Sequence, residues 1–174
     1  MTLHVFADES KKRGFILAAA IVDQGDLKEL RATVAGLRLP RQRRLHFAKE
    51  SDGRRSVIIR TFAQANLLVN IYNAAGFRQD KLGRDAAIAR LADDAVSMGA
   101  ARLVLELDDS VLQSDRRIIG ERLAKNNGHD LRYEHQRAYE EGLLAIPDAV
   151  AWCWAKGGNW RKAAEDIVAE VVTL

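Results

Sequence analysis

Leu3-His4-Val5-Phe6-Ala7-Asp8-Glu9-Ser10 is the stretch on which the fold turns. Its apolar part reads as a short buried strand, and it ends at once in acid. Arg102-Leu103-Val104-Leu105-Glu106-Leu107-Asp108-Asp109 repeats the pattern far downstream. Residues two apart in a strand share a face, so Phe6 goes with Asp8, and Glu106 goes with Asp108. With these two strands adjacent and parallel, their carboxylates meet at the C-terminal edge of the sheet, where open α/β sheets bind ligands. Leu143 to Ala155 supplies a third acid, because that run is almost wholly apolar except for Asp148. Carboxylates in such places are costly to desolvate unless something positive compensates them. Converging, they form an oxygen-lined pocket suited to Mg²⁺ or Mn²⁺.

Working outward, the chain alternates strand-like and helix-like patterns. Strands are expected at Leu3–Ala7, Phe15–Val22, Arg44–Phe47, Asn66–Tyr72, Arg102–Leu107 and Leu131–His135. The short polar connection Lys11–Gly14 makes the first two a hairpin. Leu27, Leu30, Val34 and Leu37 form one helical stripe, which Pro40 ends. Further helices are expected over Arg54–Ala65, Arg84–Met98 and Asp115–Lys125, the last with Ser114 as its N-cap. Pro147–Lys156 and Trp160–Val172 complete the helical pattern, separated by Gly157-Gly158. The later alternation implies parallel pairing, hence an α/β fold whose mixed central sheet is flanked by helices.

Composition sets the bounds. A chain of 174 residues with 48% hydrophobic and 29% charged content is expected to form a single domain, 1–174, with a sizeable core. No apolar stretch approaches the roughly 20 residues a membrane span needs. The lone Cys153, inside an apolar run, reads as core packing and fits a reducing cytoplasm. The net charge of +3 is unevenly placed. Arg38, Arg41, Arg43, Arg44, Lys49, Arg54, Arg55 and Arg60 face only Glu50 and Asp52 within their segment, which makes it the expected phosphate-facing surface. There is no glycine-rich phosphate loop, no Gly-x-Ser-x-Gly elbow and no His-Glu-x-x-His.

Each candidate also has a plainer reading. Asp108 and Asp109 suit a turn cap, whereas Glu106 lies inside the strand pattern, where turn chemistry does not explain it. Asp148 follows Pro147 and would complement a helix dipole. His46 and Glu50 are candidates to bind a metal or position a phosphate; His135, sharing a face with Tyr133, is a candidate to order a nucleophilic water. Trp152, Trp154 and Trp160 are expected in the core rather than stacked on bases.

Phe6-Ala7-Asp8-Glu9-Ser10, Leu45-His46-Phe47 with Glu50 and Arg54-Arg55, Leu103-Val104-Leu105-Glu106, Asp115-Arg116-Arg117, Tyr133-Glu134-His135 and Glu141 to Trp152 together resemble a bacterial and phage family of "domain of unknown function" proteins. That family opens on Asp-Glu-Ser and is assigned a ribonuclease-H-like fold. The resemblance implies Asp8 on the first strand, Glu106 on its neighbour and Asp148 on a late helix. Glu9, Glu50 and Asp108 compete for a further acidic position. The expected function is a divalent-metal-dependent nuclease or related phosphoryl transferase on nucleic acid, DNA or RNA. Asp8, Glu106, Asp148 and Asp108 are its candidate metal ligands. Glu9 and His135 join the first three as candidate catalytic residues, and Arg43, Arg44, His46, Arg54 and Arg55 are candidate phosphate contacts. The alternative is a non-catalytic nucleic-acid- or protein-binding module with the same fold.

Overall fold

In the computed structural model, which describes residues 1–174, the two acid-tipped strands lie side by side. β1 (Leu3–Ser10) pairs in parallel with β4 (Arg102–Glu106), with Ala7 opposite Leu105. On its other side β1 forms an antiparallel hairpin with β2 (Ile16–Asp23). The turn depends on Gly14, whose φ is +80° and where an added Cβ would stand 2.7 Å from the Ala75 backbone. β3 (Leu68–Asn73) continues the sheet antiparallel to β2, and β6 (Val168–Thr173) closes that edge parallel to β3. β5 (Arg132–Gln136) closes the other edge parallel to β4. The order is β5-β4-β1-β2-β3-β6.

Helices cover both faces. α5 (Ala145–Lys156) lies across β1 and β2 on one face, packed with Phe6, Ala18, Ala20 and Val104. The alanines of β2 let this helix approach closely, and the helix is apolar on most sides because it is buried on most sides. α1 (Leu27–Leu37), α2 (Asp52–Ala63) and the short α6 (Gly158–Ala164) complete this layer. On the opposite face, α3 (Asp80–Ser97) and α4 (Leu112–Lys125) pack against Val5, Ala7, Leu103 and Leu105. Cys153 is fully buried, which pushes its thiol up to about 12 and leaves it inert. No helix is long and apolar enough to cross a membrane.

Three expectations need correction. Arg44–Phe47 is not a strand: it leads into a 3-10 turn over Phe47–Lys49, and its alternation records two buried loop anchors, Leu45 and Phe47, with no partner strand. Trp160–Val172 is not one helix, because the chain leaves α6 and enters β6. The β-branched Val168, Val171 and Val172 favour the strand, and pairing with β3 fixes it. Ser114 is not the N-cap of α4, which begins earlier, after Val111.

Candidate carboxylate site at the C-terminal edge of the sheet

Strand alternation places Asp8 on the α5 side of the sheet, beyond Phe6, and Glu106 on the same side, beyond Val104. Asp148 reaches that side from the first turn of α5. The structure thus brings together the three acids that sequence selected. Asp8 is 8% exposed, and its carboxyl is held well above the usual carboxylate range. Burial is the largest cause, followed by the charges of Glu106 and Asp148 and a hydrogen bond shared with Glu106. Asp148 is raised as well, by burial first and also by Glu106. The Phe47 N–H, which donates to Asp148 Oδ2 at 3.0 Å, and the charges of His46 and Arg44 pull it the other way.

Every carboxylate of the trio already has a protein contact. Asp8 Oδ1 accepts from the Glu9 N–H at 2.7 Å. Arg44 Nη1 donates to Glu106 Oε1 at 2.8 Å, while the Arg44 Nε is buried without a partner. No three His, Cys, Asp or Glu side chains are gathered into a ready-made metal-binding group. The donor chemistry still fits a hard divalent cation: three carboxylates on one side of the sheet act on one another's charge, and burial and that repulsion already drive Asp8 towards protonation. Beside Asp8 and Glu106, though not Asp148, opens a cavity of about 610 Å³ whose wall continues through Glu9, Lys11, Arg84 and Asp108 towards the α3/α4 side.

The remaining candidates are divided by the sheet. Glu9 points to the α3/α4 side, where Arg84 Nε donates to it at 2.9 Å and Lys11 Nζ lies 3.1 Å away. Arg84 also forms a bidentate pair with buried Asp115 on α4, and His135 Nε2 lies 3.0 Å from Asp115 Oδ2. His135 therefore does not reach Asp8 and Asp148. Its parallel register with Leu105 aims it at the opposite face. Asp108 lines the cavity but also caps the turn after β4, accepting from the Ser110 N–H at 3.0 Å and the Ser110 hydroxyl at 2.6 Å. Those bonds hold its carboxyl below the usual range.

Glu50 lies away from the trio, buried between Gln42 and Arg54. Arg54 and Arg55 are not the free surface positions expected. Arg54 donates to Glu50 and to the Leu37 carbonyl, while Arg55 donates to the Phe47 and Ala48 carbonyls and to Asp52. They hold the 37–50 loop in place, and Arg55 also lies over the Trp152 ring, 4.5 Å from its centroid. His46 stands beside Asp148 with its Nδ1 buried and unpartnered. Arg43 is exposed and has no acidic partner; its guanidinium lies over the Tyr139 ring.

Sequence reasoning misses Arg84. The signal is present: Arg84, Ala87, Ile88, Leu91 and Ala95 form one helical stripe, and a lone arginine on such a stripe needs a buried acid.

No protein-family model and no curated protein matches this chain. Among solved structures, it is similar to a ribonuclease HII in the PCNA:RNase HII complex from Archaeoglobus fulgidus. The superposition covers 87% of this chain and 70% of that chain, with a TM-score of 0.55 and 15% sequence identity. That likeness and the mixed sheet, with its antiparallel N-terminal hairpin, parallel later strands and flanking helices, make this a ribonuclease-H-like fold.

Proposed function

We propose that the chain is a divalent-metal-dependent nuclease, hydrolysing phosphodiester bonds in nucleic acid at the Asp8–Glu106–Asp148 site. The observation that carries this reading is the convergence of three carboxylates from β1, β4 and α5, with Asp8 pushed towards protonation by burial first and then by the charges of the other two. Asp8, Glu106 and Asp148 are the residues that would hold Mg²⁺ or Mn²⁺, and Asp108 is placed to extend them into the cavity. When bound, the metal supplies Lewis-acid activation of water and stabilises the leaving oxygen.

The chain's own residues prepare the site. The Phe47 N–H fixes one oxygen of Asp148 and so ties the 44–50 loop to α5. Arg44, paired with Glu106, stands where a phosphate arriving at the carboxylates would meet it. Lys11 supplies a second cation at the cavity wall. Glu9 is held by Arg84 and Lys11, which orients the Asp8-Glu9 corner of β1. The ribonuclease HII likeness supports a nucleic-acid substrate, and the Asp8-Glu9-Ser10 opening supports kinship with the "domain of unknown function" family.

One observation favours a second reading, a non-catalytic nucleic-acid-binding module. Glu106 is already paired with Arg44, Asp148 already accepts from a backbone N–H, and no ready-made metal group is present. Calorimetric titration with Mn²⁺, alongside hydrolysis of labelled DNA and RNA, separates the two. The nuclease reading expects Mn²⁺ binding that Asp8→Asn and Asp148→Asn abolish, and cleavage that disappears with it. Wild-type protein that binds no Mn²⁺ and cleaves nothing leaves only the module.

A further inference from the structure

A second cavity, of about 200 Å³, opens beside the carboxylate site. Arg31, Arg38, Arg43 and Arg44 line it on one side, and Tyr139, Glu140 and Glu141 line it on the other, so the basic side chains outnumber the acidic ones. Two of its arginines are neutralised, Arg31 by Glu141 and Arg44 by Glu106. The other two are not paired with any acid: Arg38 donates to the Arg43 carbonyl, and the Arg43 guanidinium lies over the Tyr139 ring, 4.3 Å from its centroid. Even under that arginine, Tyr139 stays 47% exposed, so a large aromatic group is presented in a positively charged groove. Its ring is therefore open to a ligand that enters the groove.

The groove adjoins the carboxylate cavity, with one ion pair standing between them. Glu106 lines the first cavity, Arg44 lines the second, and the two are bonded to each other. Arg137 faces the first cavity, while Ala138 and Tyr139, next in the chain, wall the second.

We infer that this groove is a subsite for a single-stranded segment of the substrate, with one unpaired base stacked on Tyr139 and its phosphates held by Arg38 and Arg43. This rests on the nucleic-acid part of the proposed function and narrows it to single strands. A base inside a duplex is already stacked on its neighbours, whereas an unpaired base gains an aromatic platform. Nothing here reads base identity, so the subsite tolerates any sequence.

The test uses fluorescence anisotropy at low salt in EDTA, with a labelled single-stranded oligothymidylate, the same strand carrying abasic sites, a blunt duplex and a labelled oligoglutamate peptide. Wild type should prefer the single strand to the abasic strand and the duplex. Tyr139→Ala should weaken single-strand binding by about five- to a hundredfold and erase the preference over the abasic strand, while Tyr139→Phe keeps both. Equal binding of the normal and abasic strands by wild type, unchanged binding by Tyr139→Ala, or oligoglutamate binding with the same dependence on Tyr139 would each overturn the subsite. Mn²⁺-dependent cleavage by the same proteins tells its failure from that of the site. Cleavage and binding that Tyr139→Ala leaves untouched overturn the subsite alone. Tyr139-dependent binding without any cleavage overturns the nuclease. Wild type that binds no oligonucleotide overturns both.

Discussion

Asp8 and Glu9 are neighbours in sequence, yet the sheet sends them into opposite electrostatic environments. On the α3/α4 side, Glu9 and Asp115 share Arg84, with Lys11 and His135 at the ends of the chain of contacts. Burial pushes the Asp115 carboxyl up, but hydrogen bonds from His135 and Arg84 outweigh it, and the acid is held below the usual range. On the α5 side, Asp8, Glu106 and Asp148 meet with too little positive charge, and both Asp8 and Asp148 are raised. Buried acids of the same type are thus matched on one face and left in mutual conflict on the other. A matched cluster accounts for stability. A conflicted cluster lowers stability unless a cation joins it, and such conflicts gather at functional sites.

The contrast is broken most directly at Arg84. Its side chain is 7% exposed and that of Asp115 only 1%, so Arg84→Met takes the shared guanidinium from two carboxylates and leaves buried Asp115 with His135 alone. Removing one partner of a buried pair costs about 3–5 kcal/mol. The melting temperature should fall by roughly 10 °C, at about 2–4 °C per kcal/mol for a chain of this size. A loss of only a degree or two would mean that water enters this face and the matching is illusory.

The same chemical change should act with opposite sign on the two faces. Asp8 has a raised folded pKa, so the native state binds its proton more tightly than the unfolded chain does. The contribution of Asp8 to metal-free stability is therefore fully present at acid pH, and is lost as pH climbs from the ordinary Asp value near 4 through the raised one. Asp8→Asn removes that loss and should stabilise the metal-free protein at pH 7, seen as a higher melting temperature. Asp115 has a depressed pKa, so its contribution is present above the ordinary Asp value and is lost only as pH falls through the folded one. Asp115→Asn should therefore destabilise at pH 7. Thermal melts from pH 4 to pH 8 in EDTA check both, and two shifts of the same sign would remove the distinction between the faces.

Much of this division is legible in the sequence. The carboxylates of β1, β4 and α5 stand out because each interrupts an apolar run, and the parity of strand residues gives Asp8 and Glu106 their common face once β1 and β4 pair. The face of His135 is not legible in the same way, because parity orders residues within one strand and does not say which face a distant strand shares with another. That depends on the β4–β5 register. Arg54 and Arg55 look like free phosphate contacts because composition counts charges without seeing which backbone carbonyls need them. The 37–50 loop has no sheet partner, so its carbonyls take those guanidinium donors instead. β6 is hidden because an edge strand with Ala169, Glu170 and Val171 exposed has no alternating pattern, and its pairing comes from β3.

The smallest expected effect lies among the arginines themselves, and it sharpens the contrast between spent and unspent charge. Arg43 makes no ion pair and is exposed, so Arg43→Ala should change stability by no more than about 0.5 kcal/mol. Each phosphate contact releases counterions, so the same variant should lower the slope of log affinity against log salt by nearly one, for any nucleic-acid sequence. Arg55 is already committed to the Phe47 and Ala48 carbonyls and to the Trp152 ring. Arg55→Ala should leave that slope unchanged while costing roughly 1–3 kcal/mol of stability, through the buried carbonyls it abandons. A salt series by fluorescence anisotropy and a thermal melt on the two variants give both numbers. If Arg55→Ala flattens the salt dependence as much as Arg43→Ala does, the guanidinium leaves its carbonyls when nucleic acid binds, and the 37–50 loop rearranges with it.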